Sequence, residues 1–104
     1  MKINIIQTTT DSRKKARLIS NYLINKKLSP CVHIIPHIES IYRWKDKEKS
    51  VKEWFLMIKT TPENVNKCKK YIVKIHNYEI PEIVITEGEI LLDLYRDWFV
   101  INTN

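Results

Sequence analysis

Residues Cys31–Trp44 read C-V-H-I-I-P-H-I-E-S-I-Y-R-W. The even positions carry Val32, Ile34, Pro36, Ile38, Ser40, Tyr42 and Trp44, and the odd ones His33, Ile35, His37, Glu39, Ile41 and Arg43. A period of two puts a mainly apolar row on one side of an extended strand and a mainly polar row on the other. Pro36 has no N–H for a ladder hydrogen bond, so it marks a sheet edge or a bulge. The polar run Lys45–Ser50 reads as a turn. Val51–Thr61 then forms a second strand, apolar on both faces from Trp54 to Ile58. The two strands make one long hairpin.

Upstream of the hairpin, Ser29-Pro30 stops a helix whose apolar stripe runs through Ala16, Ile19 and Leu23, within Arg13–Leu28. Before it, Lys2–Gln7 is a short β-rich run that ends in Thr8-Thr9-Thr10-Asp11-Ser12, side chains able to cap the helix. Downstream, Thr61-Pro62-Glu63 predicts a helix start, with Thr as N-cap and Pro in the first position. Val65, Cys68, Ile72 and Ile75 mark its buried face, and His76–Pro81 breaks it. A fourth strand is expected over Glu82–Thr86 and a last helix over Ile90–Phe99. The order β-α-β-β-α-β plus a helix is an α+β, ferredoxin-like sandwich with an extended β-hairpin and a short C-terminal helix.

The chain has 104 residues, 18 Lys+Arg against 12 Asp+Glu, and a net charge of +6. That length suits one domain, here residues 1–104. The 43% hydrophobic content can supply its core. A single glycine excludes the G-x-G-x-x-G and Walker A phosphate loops, which need at least two. Of the 18 cations 14 are lysines spread along the whole length, which reads as a solvated basic surface. The fold is shared with RNA-recognition domains, but their K/R-G-F/Y-G/A-F pattern is missing, so no nucleic-acid partner is expected. Two isolated cysteines suit a reducing compartment. The N-terminus lacks the apolar core of a signal peptide and no stretch approaches a membrane span, so a cytoplasmic protein is expected.

Strand length carries an expectation about assembly. Val32–Trp44 would extend roughly 40 Å at about 3.3 Å per residue, whereas a compact chain of this size has a radius of gyration of about 13 Å. If the hairpin projects, Tyr42, Trp44, Trp54 and Phe55 lie on a bare edge. Docking onto neighbouring copies removes that hazard. A ring-like homo-oligomer is expected.

The reactive side chains are few. Cys68 falls on the buried helical stripe and reads as a small core residue. Cys31 and His33 share a strand face, but no orienting third group or glycine-lined oxyanion loop accompanies them, so no enzyme is expected. His33 and His37 stand about 13 Å apart on an extended strand and share an ion only if the strand bulges at Pro36. His76 and Glu79 lie in the break after the second helix, where an imidazole and a carboxylate can converge on a borderline divalent ion. The competing role for His76 is to end that helix.

These pieces together resemble the CutA divalent-cation tolerance family over nearly the whole chain. The resemblance rests on a T-T-x-D element near Thr9–Asp11, Leu28-Ser29-Pro30-Cys31-Val32, Ile35-Pro36, Ser40-Ile41-Tyr42-x-Trp44 and Ile58-Lys59-Thr60. It continues through His76-x-Tyr78-Glu79-x-Pro81-Glu82-Ile83 and Tyr95-x-x-Trp98. It implies a ferredoxin-like subunit in a tight homotrimer whose hairpins wrap neighbouring subunits, and a link to copper or other divalent-cation tolerance. It also implies a likeness in architecture to the PII signalling proteins. The rival function is therefore a trimer that binds a small ligand or partner protein in an inter-subunit cleft. The family's bacterial copper pattern places a cysteine at the end of the first strand and two adjacent histidines before a Pro-Tyr. Here those places hold Gln7, Ile75 and His76, and Asn77 stands for the proline. The expected metal ligands are thus His76 first, then Glu79 and Cys31. The expected ion is Cu(II) or another divalent cation, weakly held, with no cofactor required.

Overall fold

The computed structural model describes all 104 residues. Four strands, β1 (Lys2–Thr10), β2 (Cys31–Trp44), β3 (Lys47–Thr60) and β4 (Val84–Glu89), form one sheet in the order β2-β3-β1-β4. All neighbouring strands are antiparallel. Helix α1 (Arg13–Asn25) links β1 to β2, and α2 (Val65–Ile75), entered through a 3-10 turn at Pro62–Asn64, links β3 to β4. Helix α3 (Asp93–Ile101) follows β4. This is the ferredoxin-like α+β arrangement expected.

Helix α1 begins where Ser12 Oγ accepts from the Lys15 amide at 3.1 Å. It stops earlier than its apolar stripe suggests. Lys27 takes a left-handed φ of 57°, and the amides of Leu28 and Ser29 both return to the Leu23 carbonyl. The core lies between the sheet and helices α1 and α2. Ile6, Leu56 and Ile58 of the central strands meet Ala16, Ile19 and Leu23 of α1 and Cys68 and Ile72 of α2. Cys68 is the small buried core residue expected, and burial pushes its thiol pKa up. Thr61 precedes the 3-10 turn but caps by position alone. Its hydroxyl makes no cap bond and has no hydrogen-bond partner, because the turn tightens before a helical amide can reach it.

Residues paired directly across strands share a face of the sheet. Val32 opposite Ile58 and Ile34 opposite Leu56 therefore point into the core, while Cys31, His33 and Ile35 lie on the other face with Lys59, Met57 and Phe55. Pairing then skips from Ile35–Phe55 to Ile38–Glu53, so β2 holds one residue more than β3. This is a bulge at Pro36-His37, with His37 at φ 60°. One extra residue exchanges the faces. The single apolar row expected from Val32 to Trp44 is in fact two half-rows. Val32 and Ile34 serve the core, whereas Ile38, Ser40, Tyr42 and Trp44 lie on the open face with Glu53, Val51, Lys49 and Lys47.

The turn expected over Lys45–Ser50 is only two residues, Lys45 and Asp46, both left-handed with φ of 51° and 62°. That is the mirror-image turn whose twist matches a hairpin, and it lets β3 begin at Lys47 rather than Val51. β1 runs on to Thr10, pairing with β3 as far as Trp54. β4 starts two residues later than expected, at Val84, and α3 starts at Asp93. The hairpin projects, giving the molecule a long dimension of 46 Å against 24 and 21 Å across.

Candidate functional site

The segment 76–82 is shaped by the end of α2. The His76 amide donates to the Ile72 carbonyl at 2.9 Å and closes the last helical turn. The chain then turns extended, with ψ of 147° at His76. This returns the imidazole to the end of β1. His76 Nε2 lies 2.8 Å from the Thr9 carbonyl oxygen, and Nδ1 lies 3.0 Å from the Tyr78 amide nitrogen. A carbonyl only accepts and an amide N–H only donates. Nε2 therefore carries the proton, Nδ1 is bare, and the ring is neutral. Burial lowers the His76 pKa. The Thr9 carbonyl and the carboxylates of Glu53 and Asp11 oppose that shift without cancelling it.

The neighbouring side chains fasten the segment further. Asn77 accepts from the Thr10 hydroxyl at 2.6 Å and donates to Asp11 at 2.8 Å. The Tyr78 hydroxyl donates to Glu53 Oε2 at 2.5 Å, and its pKa is driven up, by burial first and then by that bond. Glu53 is only 3% exposed, so Tyr78 supplies the hydrogen bond that a buried carboxylate needs. Gln7, where the copper pattern places a cysteine, donates instead to Glu82 at 3.3 Å. Between this segment and the open face of the hairpin lies a cleft of about 780 Å³. Tyr42, Trp44 and Lys49 line one wall, and Tyr78, Glu79 and Pro81 the other.

The three expected ligands are not gathered. His76 packs at the Thr9 end of the sheet. Cys31 lies at the level of Ile5, through the pairings of Lys59, four residues or about 13 Å of strand away. Glu79 is exposed on the cleft wall. No three His, Cys, Asp or Glu side chains come together anywhere in the chain. Both nitrogens of His76 are committed, so it does not fit as a ready metal ligand. Cys31 has an imidazole beside it instead, with His33 Nε2 at 3.6 Å from its Sγ. The Glu53–Tyr78 pair was not foreseen from the sequence. Its only signal is a lone carboxylate at the start of the apolar run Trp54–Ile58, and nothing local pairs it with a tyrosine 25 residues on.

The architecture and the cleft define a class: a ferredoxin-like α+β domain whose long hairpin and tethered 76–82 loop frame a groove. Residues 4–102 match the family model described as CutA1 divalent ion tolerance protein. The chain is 36% identical over 102 residues to the divalent-cation tolerance protein CutA of Thermus thermophilus, covering 95% of this chain and 96% of that one. It is 31% identical to the chloroplastic protein CutA of Arabidopsis thaliana, covering 95% of this chain but 54% of the plant protein. A solved structure of the Thermus thermophilus protein superposes with a TM-score of 0.91 at 34% identity, with both chains fully covered. The chain belongs to the CutA1 divalent ion tolerance family. It spans nearly all of its bacterial relative and about half of the plant one. No helix is long and apolar enough to cross a membrane.

Proposed function

We propose that residues 1–104 act as one non-catalytic domain of a cytoplasmic homotrimer that confers divalent-cation tolerance and binds copper or another divalent cation weakly. The observation that carries this reading is the face exchange at Pro36-His37. It sets Tyr42 and Trp44 on the same side as the apolar open face of Ile35, Phe55, Met57 and Val84, which α1 and α2 do not cover. Ile35, Tyr42 and Val84 are more than 40% exposed in the single chain. A closed ring of three covers that face and the free edge of β2 together.

Weak binding fits the ligands available. His76 can take a metal only by giving up the Thr9 carbonyl or the Tyr78 amide, and Glu79 offers a single carboxylate on the cleft wall. Light scattering on the purified protein is expected to give three times the 12.5 kDa chain mass. Competition titration with Cu(II) and Zn(II) is expected to show saturable binding. A stable monomer at micromolar concentration overturns the assembly. Binding no tighter than buffer background overturns the metal role and transfers the function to a small ligand in the cleft, as in a PII-like trimer.

A further inference from the structure

We propose that the outer layer formed by α1 and α2 docks reversibly onto an anionic lipid surface. Cations run along the whole chain, but acids do not. Residues 11–30 and 61–76, which hold both helices and their flanks, carry ten of the 18 cations and only two of the 12 acids. Their net charge is +8, which leaves −2 for the rest of the chain. Neither helix contains an Asp or Glu. The two acids of the layer stand at its margins. Asp11 accepts from Asn77, and Glu63 sits in the 3-10 turn before α2.

The layer is a plate. Helix α1 leaves the end of β1, and α2 returns there, where His76 meets the Thr9 carbonyl. At the far end Thr60 and Cys68 both meet the Leu28 carbonyl. The helices are therefore antiparallel neighbours, and Tyr22 packs on Tyr71 across them with ring centres 4.6 Å apart. Helix α1 spans about 20 Å at about 1.5 Å per residue, and packed helices lie about 8–10 Å apart. Lys14, Arg17 and Leu18 fall on the side of α1 away from its buried Ala16, Ile19 and Leu23. Lys70, Val73 and Lys74 fall likewise on α2, away from Cys68 and Ile72. All six outward residues are exposed. Like charges three or four residues apart on a helix repel. The ion pairs of the structure, Met1–Glu89, Arg96–Asp93 and Arg96–Asp97, involve none of these cations. A partner of opposite sign relieves that repulsion.

Three features select lipid. Eight of the ten cations are lysines. These are compact point charges that suit a diffuse anionic surface, whereas the bidentate grip used on nucleic acid favours arginine. Leu18 and Val73 stand 43% and 51% exposed among the cations. Their apolar atoms can enter a headgroup layer and have no counterpart on a strand of phosphates. The Tyr22 and Tyr71 rings pack on each other, and Lys26 Nζ lies 5.7 Å from the centre of the Tyr22 ring, so these aromatics are engaged rather than offered to a base. The layer lies on the helix-covered side of the sheet, so an assembly that covers the open face leaves it free.

The test is co-sedimentation of the intact protein with vesicles in the presence of a metal chelator, which keeps the result separate from the metal titration above. Wild type is expected to pellet with vesicles of equal parts phosphatidylcholine and phosphatidylglycerol and to stay in solution with phosphatidylcholine alone. It should be released as salt is raised to about 1 M, where the Debye length falls to about 3 Å. Lys14→Glu with Arg17→Glu, and Lys70→Glu with Lys74→Glu, should each lower partitioning by about tenfold or more. Lys14→Arg with Lys70→Arg and Lys74→Arg keeps the charge and should bind as wild type does. So should Arg43→Glu with Lys45→Glu, the same loss of charge on the projecting hairpin. Leu18→Ser with Val73→Ser should weaken partitioning by about fivefold. Circular dichroism and light scattering check that each variant keeps its fold and mass. Failure of wild type to pellet, equal binding to neutral vesicles, or binding that survives either charge reversal overturns the proposal. Tighter binding of a single-stranded oligonucleotide or of polyglutamate than of the mixed vesicles also overturns it and assigns the layer to nucleic acid or to an acidic protein.

Discussion

His76 is held as a neutral ring by one donor and one acceptor, and that arrangement has a pH signature. Its folded-state pKa lies below the ordinary 6.5, so as pH falls the unfolded chain takes up the proton first. The stability it contributes is complete above about 6.5 and declines as pH falls from there toward the depressed folded value. Denaturant titrations across that window should show the decline, and His76→Asn should flatten it. A slope unchanged in the variant would assign the decline to other groups. Tyr78→Phe tests the neighbouring contact. Removing the hydroxyl leaves the Glu53 carboxylate buried without its bond, an expected loss of about 1–3 kcal/mol. It should be read from the denaturant midpoint at constant slope, and a wild-type midpoint would show that water replaces the phenol.

At the scale of the element, the bulge and the turn govern the hairpin. Deleting His37 removes the extra residue of β2 and moves Ile38, Ser40, Tyr42 and Trp44 to the opposite face. The expected outcome is loss of the proposed trimer with the hairpin still formed, measured by light scattering and circular dichroism. A trimer that survives the deletion would show that the hairpin face does not hold the copies together. The turn carries two left-handed residues, Lys45 and Asp46, neither of them glycine. Left-handed backbone is unfavourable for ordinary side chains, and the pair Asn-Gly suits this turn best. Lys45→Asn with Asp46→Gly should therefore stabilise the protein by about 1 kcal/mol, measured as a raised unfolding midpoint.

At the scale of the molecule, the 46 Å long axis comes from the hairpin, and the helices cover only one face of the sheet. The other face mixes apolar Ile35, Phe55 and Met57 with Cys31, His33 and Lys59; Tyr95 of α3 comes down near Lys59, and Tyr78 and Glu82 reach Glu53 and Gln7 toward its other end. Such a face suits contact with further copies better than contact with water. Removing aromatic area from it should weaken assembly. Trp44→Ala is expected to shift the proposed trimer toward monomer on dilution, and an unchanged mass on dilution would place Trp44 outside its interface.

Element order, the α1 and α2 core stripes and the long hairpin were legible in the sequence. Each rests on local periodicity and on Pro, Ser and Thr punctuation, which act within a few residues. Helix α1 is capped by Ser12, and Cys68 lies in the core, for those local reasons. Pro36 even announced an irregularity. Which way that irregularity sends Tyr42 and Trp44 was decided by pairing with β3, because the count of residues opposite one another belongs to two strands and not to one. The Glu53–Tyr78 bond, the locked ring of His76 on Thr9 and the pairing of Met57 with His33 were settled in the same way. Partners 24 to 67 residues apart meet only after the sheet closes, and a one-dimensional pattern carries no record of that meeting.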